Sequence, residues 1–262
     1  FNMTKRYIRH ASELVTCKGQ APKRGKEMSD IGLIEDGGVL IHDDKIFAVG
    51  TTEELDKMIN PDEYEIIDAT GKTVLPGFVD SHTHFVFGGY RADEFTWRLR
   101  DSCETELKQL RAMKELDKIH PVDIVTTFLG PHSVLPQYKG KEREFIDMMI
   151  NEVMPKVKAE DLAEFADIFC EKGVFNIEDS EYYLNKAKEM GFKLKIHADE
   201  MFSLGGAELA SRTGCFSADH LLKASDEGIR QMAESSVIST LLPATAFCLK
   251  EEYAPVSYTH LT

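Results

Sequence analysis

Two histidines separated by a single residue form the sharpest chemical signal in the chain. His82 and His84 end the segment Phe78–His84, which we predict to be a β-strand because it begins with apolar residues. Side chains of a strand alternate between its two faces, so both imidazoles would point to the same side and could bind one metal ion. This spacing alone is equally compatible with two surface histidines that follow a strand.

Two further histidines follow predicted strands. His197 ends Phe192–His197, and His220 directly follows Cys215–Asp219. The carboxyl ends of parallel strands lie at one edge of the sheet, where α/β barrel enzymes have their active sites. Four histidines on three such strands would converge there. Three neutral imidazoles with an open position are typical of a catalytic zinc site, and iron or manganese would also accept them.

Three other side chains are candidates for the same pocket. Glu200 lies three residues after His197 and would bring a carboxylate to the site. His132 follows the predicted strand Asp123–Leu129. Arg91 lies in a glycine-containing loop, where a solvated arginine is the simpler interpretation. If that loop covers the site, its guanidinium suits a substrate carboxylate.

Alternating strands and helices predict an α/β fold. The first 75 residues favour β structure, including a hairpin in which Asp43–Lys45 joins two apolar strands. After Pro76 the strands are separated by helices, which is typical of a parallel sheet. Six apolar segments there are strand candidates: Phe78–His84, Asp123–Leu129, Phe165–Cys170, Phe192–His197, Cys215–Asp219 and Val237–Leu242.

Three helices are predicted from apolar stripes between these strands. The first stripe runs from Leu107 to Ile119, and the second runs from Phe145 to Val153 and should end near Pro155. The third helix should begin with Asp179 as its N-cap and end at Gly191.

The strand count sets the expected fold. A complete (β/α)8 barrel needs eight strands and about 250 residues, whereas residues 76–255 offer six strand candidates. We therefore expect an incomplete TIM-like (β/α)8 barrel at 76–255. A small N-terminal β-sandwich portion should occupy residues 1–75, and the tail 256–262 fits neither.

The composition is that of a globular protein, 42% hydrophobic and 29% charged. Its formal net charge of −14 argues against nucleic acid or an anionic membrane as the main partner. No apolar run approaches the roughly 20 residues of a membrane span. Five widely spaced cysteines without a CxxC pair favour reduced thiols and a cytoplasmic protein.

Several segments resemble the imidazolonepropionases, a family of the amidohydrolase superfamily. Val74–His84 is similar to the opening metal motif of the superfamily, and Phe87–Phe95 resembles this family in particular. The resemblance extends from about Tyr7 to Pro255. The other similar segments are Phe128–His132, Lys195–Glu200, Gly205–Ala210, Ser217–Leu221 and Leu241–Phe247.

The resemblance implies a reaction and its metal ligands. It implies an incomplete amidohydrolase barrel in which His82, His84 and His197 bind one metal ion, zinc or iron. The implied activity is metal-dependent hydrolysis of the cyclic amide of 4-imidazolone-5-propanoate to N-formimino-L-glutamate, in histidine degradation.

The same resemblance implies roles for the remaining candidates. Glu200 would bind the substrate ring and help to activate water, and His220 would stabilise the developing oxyanion. Arg91 would hold the propionate carboxylate, and His132 would contact the ring. The implied partner is a small molecule with a carboxylate, and the family implies a homodimer.

Two departures from the family pattern set further expectations. A family stretch that includes a barrel strand has no counterpart between Arg98–Ser102 and Glu104–Leu107, so we expect an internal deletion. The family also continues beyond the residue that matches Pro255 to an aspartate of the metal site, so we expect a C-terminal truncation.

Three hypotheses therefore stand. The first is an imidazolonepropionase-type hydrolase, and the second is another amidohydrolase of the nucleobase deaminase type. Arg91 separates these two, because a carboxylate clamp has little use for a neutral base. The third is an inactive fragment of the family that binds metal weakly and turns nothing over.

Overall fold

The N-terminal unit is built on a mixed five-stranded sheet. The computed structural model describes residues 3–19, 25–84 and 102–255, and its first compact unit ends at Asp80. Within this unit β2 lies between β3 and β1 and is antiparallel to both, whereas β4 and β5 pair in parallel with β1. The strands are β1 (Lys5–Val15), β2 (Leu33–His42), β3 (Lys45–Thr51), β4 (Glu65–Asp68) and β5 (Thr73–Val74).

The predicted hairpin between β2 and β3 is confirmed. His42 and Lys45 pair at its end, and Asp43 takes a left-handed φ of 53°, which Asp adopts more readily than most residues. β3 leads directly into helix α1 (Thr52–Met58), where Thr51 and Glu54 form a reciprocal capping box. The cap therefore fixes the point at which the chain leaves the sheet.

The second unit begins at Ser81 and contains a parallel sheet around β9. The strand order is β11-β10-β9-β7-β6, and β8 pairs with β9 as well. Over residues 102–255 this path is open, as expected for an incomplete TIM-like barrel. The described strands are β6 (Thr127–Phe128), β7 (Phe165–Ala166), β8 (Phe169–Cys170), β9 (Lys193–Ala198), β10 (Ser217–His220) and β11 (Ile238–Thr240).

Helices cover this sheet and share one core with it. Phe128, Tyr183, Ile196 and Leu209 are completely buried in that core. Among the described helices, none combines the length and the apolar content that a membrane span requires. The helices are α2 (Ser102–Ile119), α3 (Glu142–Met148), α4 (Met154–Ala159), α5 (Ile177–Glu189), α6 (Gly206–Thr213), α7 (Asp226–Glu234) and α8 (Pro243–Leu249).

The predicted strand Phe78–His84 is not formed. Residues 75–84 do not form a strand, and the side chains of Phe78 and Val79 are exposed. No strand in the described ranges pairs with this segment, and an extended backbone without a ladder partner is not β structure. The orientation of His82 and His84 is therefore not set by the alternation of side chains along a strand.

Two helix boundaries also differ from the prediction. Asn176, not Asp179, caps α5, because its side-chain oxygen accepts a hydrogen bond from the backbone N–H of Asp179 at 2.8 Å. Pro155 does not end the preceding helix. A π-helical turn over Met149–Val153 joins α3 to α4, and Pro155 lies in the first turn of α4, where its missing N–H is tolerated.

Candidate metal centre

Three histidines lie at the carboxyl end of the parallel sheet. His197 belongs to β9, His220 is the last residue of β10, and His132 follows β6 by four residues. The centroids of the His197 and His220 rings are 5.2 Å apart, and those of His132 and His197 are 5.3 Å apart. In the strand register, His197 lies beside Asp219 of β10 and Phe169 of β8. The sheet itself therefore sets these positions.

His82 and His84 reach the same cluster from the segment that begins the second unit. The His82 ring lies 4.7 Å from that of His197 and 5.3 Å from that of His220, measured between centroids. The His84 ring lies 5.4 Å from that of His132. The structure thus brings together all five histidines that the sequence nominated, although residues 82–84 do not form a strand.

Two overlapping triads in this cluster could each hold a metal ion. One consists of His82, His197 and His220, and the other of His84, His132 and His197. Within each triad the ligand atoms lie within 4.8 Å of one another. The ligand set implied by the resemblance, His82, His84 and His197, takes members from both triads and remains a prediction. His197 is common to all three sets.

Buried carboxylates contact two of these rings at Nδ1. Oδ2 of Asp219 lies 2.6 Å from Nδ1 of His82, and Oδ2 of Asp167 lies 3.1 Å from Nδ1 of His197. Asp219 also accepts a hydrogen bond from the hydroxyl of Ser217 at 2.9 Å. Burial raises the pKa of Asp219, but the hydrogen bond from His82 and the charge of His197 outweigh it, so the net shift is downward.

The Nε2 atom of His197 indicates that the cluster fits a cation. It is buried and has no hydrogen-bond partner among the described residues. Burial lowers the pKa of His197, but the charges of Asp167 and Asp219 outweigh it and the net shift is upward. An unsatisfied buried nitrogen is costly, and metal coordination is a common use of a neutral imidazole nitrogen. The residues present therefore fit a metal ion.

His220 occupies an uncommon backbone conformation beside Glu200. Its φ is 74° and that of Leu221 is 58°, so two consecutive residues have a left-handed backbone conformation, which stores local strain. The buried Nδ1 of His220 lies 3.4 Å from Oε1 of Glu200 without a hydrogen bond. Burial and the nearby charges of His197 and His82 lower the pKa of His220 to about 3. Its ring is therefore neutral near pH 7.

Two buried carboxylates fix the loop that carries Glu200. Asp199 accepts hydrogen bonds from the backbone N–H groups of residues 204–207 and so joins β9 to the start of α6. Glu171 accepts from the backbone N–H groups of residues 201–202 at 2.9 and 3.4 Å. Glu200 lies between these anchors, and burial raises the pKa of its carboxyl. The loop is therefore held from both sides.

The two residues predicted to bind substrate have different outcomes. His132 stacks against Phe169, with ring centroids 5.5 Å apart and an interplanar angle of 27°. It therefore presents an imidazole at the edge of the histidine cluster. Arg91 lies outside the described residues.

The sequence interpretation gave no role to Asp199 and Asp219, and it also missed two further carboxylates of this site, Asp167 and Glu171. Asp167 lies inside the apolar stretch Phe165–Cys170, and Glu171 follows that stretch directly. Both are buried, with 2% and 0% of their surface exposed. Acidic residues are seldom fully buried without a partner, so a charge within an apolar strand was the signal that could have identified them.

Comparisons with known proteins agree with the resemblance seen in the sequence. Residues 65–126 match the model of the Amidohydrolase family. An imidazolonepropionase of Clostridium tetani is 46% identical in an alignment that covers 94% of this chain and 72% of the relative. One of Parabacteroides distasonis is 44% identical, covering 96% of this chain and 74% of the relative.

The length of the first alignment also reveals an internal gap. It spans 302 positions but includes 94% of the 262 residues of this chain, or about 246. Subtracting 246 from 302 leaves roughly 56 positions without a counterpart here. Such unmatched positions inside the aligned region agree with an internal deletion, and its place between Arg98–Ser102 and Glu104–Leu107 stays a prediction.

Solved structures share the fold at low sequence identity. Guanine deaminase of E. coli matches with a TM-score of 0.64 at 14% identity, covering 97% of this chain and 71% of that protein. Ochratoxinase of A. niger matches with a TM-score of 0.57 at 13% identity, covering 95% and 68%. These likenesses show the fold alone, so the deaminase hypothesis has only fold-level support. With relatives above 40% identity along nearly its whole length, the chain belongs to the imidazolonepropionase family of the amidohydrolases.

Proposed function

We propose that this chain hydrolyses the cyclic amide of 4-imidazolone-5-propanoate to N-formimino-L-glutamate in histidine degradation. The observation that carries the proposal is the five-histidine cluster at the carboxyl end of the sheet, in a member of this family. Water adds across the C–N bond of the ring. The carbonyl carbon becomes a carboxylate, and the released ring nitrogen takes up the proton.

His82, His84 and His197 are the residues that would hold one metal ion, zinc or iron. Imidazole nitrogens suit both metals. The buried, unpartnered Nε2 of His197 supports this assignment. When bound, the ion supplies hydroxide near neutral pH by lowering the pKa of a coordinated water.

Glu200 and His220 are the residues that would carry the proton transfer and the oxyanion. Glu200 accepts a proton from the attacking water, and His220 donates a hydrogen bond to the oxygen on which charge develops. The 3.4 Å between Oε1 of Glu200 and Nδ1 of His220 supports this pairing, because it places the carboxylate directly beside the imidazole.

His132 and Arg91 are the residues that would orient the substrate. His132, stacked on Phe169, contacts the imidazolone ring. Arg91 holds the propionate carboxylate through its guanidinium. The partner is then a small molecule with a carboxylate.

We also propose a homodimer that acts in the cytoplasm. The cysteines Cys17, Cys170, Cys215 and Cys248 are all free thiols. Unpaired thiols fit a reducing compartment.

An absorbance assay of imidazolonepropionate consumption tests the reaction. The chain is loaded with zinc or with iron, and N-formimino-L-glutamate is identified by mass spectrometry. We expect turnover that needs the metal and is abolished in Glu200→Gln. One bound ion per chain without turnover would contradict the proposal and leave the inactive metal-binding fragment. Release of ammonia from guanine would instead support a deaminase.

A further inference from the structure

We propose that Asp167 is a positioning residue that sets the tautomer of His197 and so directs Nε2 of His197 toward the metal ion. The proposal deepens the metal site on which the proposed function rests. The sequence resemblance does not point to Asp167. Its role follows from the geometry of two buried side chains, one between β7 and β8 and the other on the neighbouring strand β9.

The contact between Asp167 and His197 fixes which ring nitrogen carries the proton. Both oxygens of Asp167 lie close to Nδ1 of His197, Oδ1 at 3.2 Å and Oδ2 at 3.1 Å. An ionised carboxylate only accepts hydrogen bonds, so the single proton of the neutral ring lies on Nδ1. Nε2 of the neutral ring then presents its lone pair, and this is the buried atom without a hydrogen-bond partner in the described chain.

The backbone holds both residues in place. The backbone N–H of Asp167 donates to the carbonyl of Phe128 at 2.9 Å, and that of His197 donates to the carbonyl of Ile168 at 3.0 Å. Each side chain is at most 4% exposed. The backbone hydrogen bonds fix where each side chain starts, and burial limits the space in which the ring and the carboxylate can rotate.

The loss of Asp167 should act on the metal through this tautomer. Histidine in water favours the proton on Nε2, the nitrogen that must be bare for the ion to bind. Removal of a carboxylate that holds a ligating histidine typically weakens metal affinity about 10- to 100-fold. We expect a loss in this range for Asp167→Ala.

Two measurements that need no turnover test the proposal. The first is ¹⁵N NMR of the full chain without metal, labelled with ¹⁵N-histidine. The His197 signals are assigned by their loss in His197→Gln. At a pH where this ring is neutral, we expect the proton on Nδ1 in the unsubstituted chain and on Nε2 in Asp167→Ala. The second is competition with a chelating dye, which measures the zinc affinity of the unsubstituted chain and of each variant.

Asp167→Asn serves as a second variant of nearly the same shape. Its uncharged amide can donate to Nδ1, so we expect the same change of tautomer and a loss of zinc affinity of roughly 10-fold. This variant decides the question if Asp167→Ala does not fold. The control is Asp179→Ala, which removes a buried carboxylate that pairs with Arg143 and Asn176 instead of a histidine.

Asp179→Ala should lower the unfolding temperature and leave the His197 tautomer and the zinc affinity unchanged. The proposal is overturned if the folded Asp167 variants keep either the original tautomer or the original affinity, or if Asp179→Ala loses zinc equally. A chain that shows both expected effects and still fails to hydrolyse the substrate refutes the proposed function alone. Normal turnover with an unaltered tautomer in Asp167→Ala refutes this inference alone.

Discussion

Nδ1 of His82 lies 2.6 Å from Oδ2 of Asp219, although 137 residues separate them in the sequence. Asp219 pairs in register with His197 across β10 and β9. One carboxylate at the sheet edge thus anchors the irregular segment that carries His82 beside the strand that carries His197. This hydrogen bond positions His82, whereas the sequence predicted that a strand through residues 78–84 would position it.

Replacement of the histidine shared by both triads should have the largest effect on metal binding. We expect His197→Ala to weaken zinc binding more than about 100-fold. About 100-fold is the upper end of the loss seen when a group that only hydrogen-bonds to a ligating histidine is removed. His132→Ala should lose less, because the other triad stays complete. Competition titration measures both variants. His120→Gln is the control, since this exposed residue lies at the end of α2. One tightly bound ion in His197→Ala would contradict the prediction.

Replacement of Arg91 should raise KM more than it lowers kcat. Charge-assisted hydrogen bonds contribute about 1.5–3 kcal/mol, so Arg91→Met should raise KM for imidazolonepropionate roughly 10- to 150-fold. Steady-state kinetics measure the effect. The matched control is Arg230→Met on α7, where the guanidinium pairs with Glu227 and Glu234 at the surface. An unchanged KM in Arg91→Met would argue that another group binds the carboxylate.

Removal of the Glu171 carboxylate should loosen the Glu200 loop. Glu171→Ala leaves the N–H groups of residues 201–202 without their acceptor, so we expect a loss of about 2–4 kcal/mol in the free energy of unfolding. Urea denaturation measures it. Glu171→Gln keeps an acceptor oxygen and should lose less. The exposed Glu189→Ala should change stability by no more than about 0.5 kcal/mol, and an equal loss in that control would refute the assignment.

Thiol reactivity should separate buried from exposed cysteines. Burial raises the pKa of Cys170 to about 11 and that of Cys215 to about 12. At pH 8 only about one thousandth of Cys170 is then thiolate, the reactive form. In a Cys103→Ser background, a thiol reagent should modify Cys17 and Cys248 quickly, and the other two only after unfolding in denaturant. Rapid modification of four thiols in the native chain would contradict this.

The sequence predicted the elements that local patterns encode. Runs of apolar residues that end in histidine identified the β9 and β10 regions, and hence His197 and His220. The strand at Phe78–His84 failed because strand formation depends on a pairing partner, which a local apolar run does not reveal. The N-cap at Asp179 failed for a smaller reason, since Asn176, three residues earlier, offers an equally good acceptor.

The support of the site was harder to predict than its histidines. Asp167, between β7 and β8, contacts His197 on the adjacent strand β9, and Glu171 contacts a loop 30 residues further along the chain. No spacing rule connects such pairs, because their proximity arises from the strand order β10-β9-β7. Chemistry-bearing residue types are visible in a single sequence, whereas the contacts that orient them become visible only in the folded sheet.

The sharing of His197 by both triads sets a ceiling on occupancy. Its Nδ1 faces Asp167, which leaves a single lone pair for coordination, and a lone pair serves one cation at a time. Among the described histidines, a metal ion bound by one triad therefore leaves the other triad with only two available imidazoles. We therefore expect the described histidines to bind one zinc ion and not two, although the cluster contains five imidazoles.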